Sequence, residues 1–174
     1  AIFEMSADRA EFVARLFSRK RPAGLTRTST AADLMDAYLT ADPDDEAAFK
    51  ANLKAIADHL TKTRAFPLGA DDLAGIEYVY RNFYRFGPNI NYVSSINGRT
   101  GSSASYARLM ASTDAITGAE RTYLASEENF LAVKALQQKN LIVPVVGDFA
   151  GPKALRAVGQ FLKARGATVM AFYV

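Results

Sequence analysis

The sequence predicts an α/β fold, with a helix-rich part over residues 1–115 and a helix–strand–helix–strand order over 120–174. Three observations predict it. Apolar residues recur at helical spacing through the first part, as in helices that lay one face on a core. Leu141-Ile142-Val143-Pro144-Val145-Val146 is a continuous apolar run rich in β-branched residues, the pattern of a strand buried on both faces. A second apolar run, Ala167 to Val174, follows one helix later, and such a strand–helix–strand unit is nearly always a right-handed parallel crossover. At 174 residues, 49% apolar and 22% charged, the chain suits one domain with one buried core.

Each element has a local reason. Ile2, Met5, Phe12, Val13, Leu16 and Phe17 place a helix over 2–18, broken after Ser18 by Pro22 and Gly24. Thr28, Ser29 or Thr30 caps a second helix that reaches Leu39. Asp42-Pro43-Asp44 is a turn, and Phe49, Leu53, Ile56 and Leu60 mark one face of a helix over about 44–62. After the linker Phe66-Pro67-Leu68-Gly69, the acids Asp71 and Asp72 open a helix with the stripe Leu73, Ile76, Tyr80 and Phe83, stopped at Phe86-Gly87-Pro88. Residues 88–104 read as a long loop, a feature that is uncommon inside compact domains and often functional. Tyr106 to Met110 suggests a short helix. Ser126 with Glu127 and Glu128 opens a helix that runs to about Lys139. Pro144 is unfavourable in a central strand and counts against the first strand. Pro152 suits a first helical position, Leu155, Val158, Phe161 and Leu162 form that helix's apolar face, and Gly166 ends it.

Composition excludes several chemistries. The net charge is +3, and its only dense run is Arg19-Lys20-Arg21, read either as a solvated last helical turn or as a phosphate or partner patch. Without cysteine the chain has no disulfide, thiolate nucleophile or cysteine metal site, and one histidine, His59, cannot build a multi-histidine site. His59 sits mid-helix and is expected on a surface or half-buried position. No apolar run approaches the ~20 residues that span a bilayer. No secretory leader is visible, and a cytoplasmic location is expected.

Three segments carry candidate chemistry. Gly147-Asp148-Phe149-Ala150-Gly151 follows a strand and feeds a helix, the place where open α/β sheets bind ligands. The glycines would admit a ligand or another backbone, and Asp148 would accept a hydrogen bond, act as a base, or simply cap the following helix. The loop is neither a dinucleotide fingerprint nor a P-loop. Asn97 to Ser103, with Arg99, is rich in donors but matches neither motif. Tyr78 to Phe86, with Tyr92 beyond, is either an aromatic and cationic wall over a ligand or a buried stripe with solvated Arg81 and Arg85. Glu127 and Glu128 are adjacent and fit helix capping better than paired acid chemistry.

The segments Phe66-Pro67-Leu68 through Arg81, Tyr123 to Phe130, and Asn140 to Arg156 together resemble a family of bacterial proteins of unassigned activity. Phe3 to Arg9 and Phe17 to Lys20 extend the resemblance over nearly the whole chain. It implies a Rossmann-like fold of the class I S-adenosylmethionine-dependent methyltransferase type, with S-adenosylmethionine as cofactor. On that analogy Gly147, Phe149 and Gly151 lie on the cofactor, Asp148 orients the acceptor or acts as base, and Tyr92 and Arg99 reach the substrate from the long loop. It also implies that this chain is a piece of a longer protein, with a glycine-bearing strand–loop and an acidic strand end before Ala1 and a further loop after Val174. The expected function is a methyltransferase-like protein acting on an unspecified substrate. The alternative is a non-catalytic scaffold or subunit that keeps the fold, with a small molecule or a protein as partner. A nucleic-acid surface through Arg81, Arg85 and residues 19–21 ranks last.

Overall fold

The computed structural model describes residues 1–94, 103–145 and 147–172, and the chain divides into two compact units, Ala1–Lys139 and Asn140–Val174. The first unit is built from α1 (Ile2–Met5), α2 (Arg9–Phe17), α3 (Ala31–Thr40), α4 (Glu46–Asp58), α5 (Ala70–Phe86), α6 (Tyr106–Met110) and α7 (Glu127–Gln138). A π-helical turn, His59–Thr63, extends α4, and a 3₁₀ turn, Gly87–Asn89, follows α5. The second unit contains α8 (Ala154–Ala164).

Caps decide where these helices begin. The expected helix over 2–18 is in fact two, because Ser6 donates its hydroxyl back to the Ile2 carbonyl (2.8 Å) and Asp8 accepts from the Glu11 amide (2.7 Å), starting a new helix. Thr30 and Asp33 form a reciprocal capping box on α3. Asp45 caps α4 and Ser126 caps α7. Two further caps come from far along the chain. The Glu120 carboxylate accepts from the Ala31 and Ala32 amides (3.0 and 3.4 Å), and Glu127 accepts from the Arg9 amide (3.2 Å). Both place negative charge at the positive end of a helix dipole.

The core of the first unit gathers Phe12, Val13 and Phe17 of α2, Leu34, Met35 and Tyr38 of α3, Leu124, and Phe130 of α7. Fully burying one such side chain is worth about 1.5–3 kcal/mol. Phe3 of α1 joins this core, its ring 4.4 Å from Phe12 and stacked at 5.4 Å on Phe130. A smaller cluster sets Phe49 and Ile56 of α4 against Tyr80 of α5. Tyr80 and Tyr84 then tie α5 down by donating to the carbonyls of Arg15 (2.6 Å) and Asp44 (2.7 Å).

One charged residue lies inside this apolar frame. Arg9 is only 3% exposed. Its Nη1 donates to the carbonyls of Leu124 (2.6 Å) and Ala125 (3.1 Å), and its Nη2 to those of Arg27 (3.0 Å) and Ser29. Its Nε faces Glu127 at 3.5 Å. The five N–H donors of the guanidinium are thus committed to two distant segments and one carboxylate.

The expected Rossmann-like α/β sheet is not there. The described residues are helix-rich and contain no strand or sheet, only three isolated bridges, Arg19 with Pro43, Asn91 with Ser105 and Thr113 with Glu120. In the second unit only the expected helix forms, as α8, and Leu141, Val143 and Val145 line a groove of about 450 Å³ with its Val158, Phe161 and Leu162. The strand pairing does not form. A strand needs a neighbour to take its N–H and C=O groups, and residues 141–145 and 167–172 have none among the described residues. Their side chains face solvent, Leu141 at 65%, Val143 at 60% and Met170 at 93% exposure. The β-branched run signalled burial, but burial requires elements that these residues do not supply.

The buried guanidinium yields a prediction. Arg9→Met removes the guanidinium donors from four carbonyls and leaves Glu127 without its cation, so it should cost about 3–5 kcal/mol. Arg9→Lys should rescue only in part, because an ammonium cannot reproduce the planar fork. Urea unfolding followed by helical circular dichroism measures both; equal stability of wild type and Arg9→Met would refute the role assigned to this residue.

Candidate functional site

The Gly147–Gly151 loop is a tight turn closed on itself. Asp148 accepts from the Ala150 amide through Oδ1 (2.9 Å), and its carbonyl accepts from the Gly151 amide (3.0 Å). Packing excludes a Cβ at Gly147 and leaves little room for one at Gly151. A Cβ on Gly147 would stand 2.5 Å from the Ala154 Cβ, and one on Gly151 would stand 3.0 Å from the Asp148 Cβ. Asp148 therefore shapes its own turn and does not cap α8, whose N-terminal residue Lys153 provides no side-chain cap. Phe149 is exposed and stacks on Phe172 at 5.9 Å within the same unit. The structure thus brings Gly147, Asp148, Phe149 and Gly151 into one turn, while Tyr92 belongs to the other unit. Arg99 lies outside the described residues.

The aromatic segment of α5 is divided: Tyr80 is buried, Phe83, Tyr84 and Phe86 are half-buried, and Tyr78 is exposed. Tyr80 packs on Phe49 (5.2 Å). Arg81 lies over the same Phe49 ring at 4.4 Å and pairs with Glu46 (3.1 Å) and Glu77 (2.9 Å). Arg85 stands 5.9 Å above the Phe86 ring. Arg81 is therefore held by carboxylates of its own chain, which removes one cation from the nucleic-acid surface considered for this face. His59 is half-buried and meets the Glu4 carboxylate at 2.7 Å, a partner from another helix. Glu127 positions Arg9 and its amide rather than facing Glu128.

The long loop after α5 is where a site forms. Its base is clamped by the Asn91–Ser105 bridge, with the Tyr106 amide donating to the Ile90 carbonyl at 2.7 Å. Asn91 also shapes a small turn, accepting from the Val93 amide (3.0 Å) through its side chain and from the Ser94 amide (3.0 Å) through its carbonyl. This clamp holds the end of α5 beside α6 and leaves a cleft of about 450 Å³ between them. Phe83 and Ile90 form one wall, Tyr106 and Leu109 the other, Ala104 and Ser103 lie at the edge, and Tyr92, 96% exposed, stands at the rim.

The floor is rigid. Phe17, fully buried, meets Tyr106 edge-on at 5.3 Å and Phe83 at 6.1 Å. The Tyr106 hydroxyl turns inward to the Tyr123 hydroxyl at 2.5 Å. Burial pushes both phenols above the usual tyrosine range, Tyr106 most strongly, aided by the neighbouring Tyr123. Tyr106 thus offers the cleft its ring and keeps its polar end inside. Of the candidate segments read from the sequence, Tyr92, Phe83 and Ser103 reach this cleft. Ile90 and Leu109 were missed because each is a single apolar residue in a segment too short for periodicity.

A search of family models, curated proteins and solved structures finds no match to this chain.

Two predictions follow from the buried phenols. Tyr123→Phe leaves the Tyr106 hydroxyl unpaired in the core and should cost about 1–3 kcal/mol, whereas Tyr106→Phe combined with Tyr123→Phe should recover part of the loss. A double-mutant cycle in urea measures the difference. The second concerns pH. Burial raises Tyr38, Tyr80, Tyr106 and Tyr123, Tyr80 to about 12. Unfolded tyrosines ionise near ~10. The unfolded state therefore loses protons first, and stability should fall as pH rises from ~10 through the folded values. A tyrosinate difference spectrum should show these four of the eight tyrosines ionising only as helicity is lost; early, reversible ionisation of all eight would contradict it.

Proposed function

We propose that the protein binds a small, flat, largely apolar molecule in the cleft between α5 and α6. The observation that carries this reading is the cleft's size and lining. Ligand sites typically enclose ~300–1,000 Å³ of mostly apolar and aromatic surface with a few polar groups. This cleft has about 450 Å³ walled by Phe83, Ile90, Tyr106 and Leu109, with Asn91 and Ser103 as its polar groups. Its walls are fixed before any ligand arrives, by the Asn91–Ser105 clamp and by Phe17 behind them. A pre-ordered wall lowers the entropy cost of binding. Tyr92 is exposed at the rim, which supports a role in stacking on a planar ligand in the offset or edge-to-face manner.

The expected methyltransferase chemistry would need a cofactor cleft at the carboxyl edge of a parallel sheet. No sheet exists among the described residues, so that reading rests on the resemblance alone. S-adenosylmethionine accordingly enters as one of the ligands to be tried.

The chain contains no tryptophan, so Tyr92→Trp installs a single fluorophore at the rim. Titration with 1-anilinonaphthalene-8-sulfonate should quench it saturably by energy transfer. Leu109→Glu, which puts a charge on the cleft wall, should weaken that binding about tenfold or more, equivalent to ~1.4 kcal/mol. Phe161→Glu, in the other unit, should leave it unchanged. A non-saturating response, or one indifferent to Leu109→Glu, would sink the proposal. Titration of the same reporter with S-adenosylmethionine decides whether that molecule is the occupant.

A further inference from the structure

The start of α2 borders a second cavity of about 250 Å³, polar where the first is apolar. Its lining includes Asp8, Arg9, Arg21, Thr26, Arg27 and Glu127, three arginines and two acids. What such a cavity can bind depends on which of its polar atoms are already committed. Both carboxylates are. Asp8 accepts from the Glu11 amide (2.7 Å) and from Arg21 Nη1 (3.0 Å). Glu127 accepts from the Arg9 amide (3.2 Å) and faces Arg9 Nε (3.5 Å). Thr26 Oγ1 accepts from the Thr28 amide (3.3 Å) and bonds the Thr28 hydroxyl (3.0 Å). Arg9 has committed all its donors to carbonyls and Glu127.

The uncommitted groups are donors. Arg21 uses one of the five N–H groups an arginine carries. The Arg27 guanidinium has no partner among the described residues, and its backbone is fixed because its carbonyl accepts from Arg9 Nη2 (3.0 Å). Two cations with spare, forked donors stand at a cavity whose acids are satisfied internally. That arrangement matches the bidentate recognition of an oxyanion.

We propose that this cavity binds a small oxyanion, the phosphate or carboxylate group of a small molecule, between Arg21 and Arg27. The volume exceeds what a single water occupies, ~30 Å³, several times over. There is thus room for a short organic group beyond the anion itself. Both arginines are exposed, so binding weakens as salt rises.

The test uses the full chain and two probes, inorganic phosphate and acetate, each compared with chloride at equal ionic strength. Thermal unfolding and calorimetry should show a saturable rise in Tm with one probe beyond the chloride effect, and the responding probe identifies the group bound. Arg27→Gln should lower that affinity about tenfold or more with no change in the unliganded Tm, because its side chain has no partner among the described residues. Arg108→Gln, a cation removed from α6, should retain full binding. A response no larger than chloride's with both probes would overturn the proposal, as would an undiminished response in Arg27→Gln. The aromatic-cleft reporter at residue 92 reads a different cavity, so either result leaves that reading to its own titration.

Discussion

The Arg9 guanidinium is the constraint on which the helical unit depends. Taking a cation out of water costs several kcal/mol unless its donors are met. Here they are met by carbonyls that have no helix or sheet of their own to satisfy them, those of Arg27, Ser29, Leu124 and Ala125. The exchange is reciprocal: the loop after Gly24 and the turn before α7 become ordered because one planar fork reaches both. Glu127 closes the arrangement by holding Arg9 from Nε and from its amide while opening α7. Loss of the fork would release the entry to α3, the entry to α7 and the polar cavity together.

Long-range caps follow the same logic. A helix leaves four amides unbonded at its start. On α3 the local capping box meets the nearest, and Glu120, 89 residues away from Ala31, meets two more. Since Glu120 also bridges Thr113, the irregular segment between α6 and α7 is anchored to α3 rather than left loose. The base of the long loop is likewise tied, there by the backbone bridge of Asn91 and Ser105 beside the cleft.

Local signals were legible in the sequence and distant ones were not. The caps at Thr30 and Ser126 and the stops at Ser18 and Gly87 rest on short-range chemistry, and the structure places them where the residues suggest. The break between α1 and α2 was equally local, written in Ser6 and Asp8, but the continuous apolar spacing from Ile2 to Phe17 masked it. Arg9 could not be found this way, since an arginine in a first helical turn looks solvated until its tertiary partners are known. The sheet expectation failed for a related reason. Periodicity and β-branching report what a segment can pack against, not whether a neighbour is present, and among the described residues of their unit Leu141, Val143 and Val145 meet α8 and no strand. At the candidate site, Tyr92 was legible as an aromatic beyond a stop signal, whereas the cleft behind it arises from a bridge between residues fourteen apart.

The tyrosine pair explains the chemical character of that cleft. A tyrosine lining a cavity ordinarily brings a hydroxyl that can orient a ligand. Tyr106 cannot, because its hydroxyl is held at 2.5 Å by Tyr123 in the core and burial keeps it protonated. The ring that remains is apolar on its face and braced edge-on by Phe17. Phe83 and Leu109 add carbon surface on either side. Discrimination among ligands then falls to shape and to the few polar atoms near Asn91 and Ser103, so a ligand would be selected chiefly for flatness. Hydrogen-bonding recognition is left to the other cavity, where the arginine donors lie. One scaffold of short helices therefore separates two kinds of recognition, and both depend on polar groups that the fold has turned inward, a phenol in one case and a guanidinium in the other.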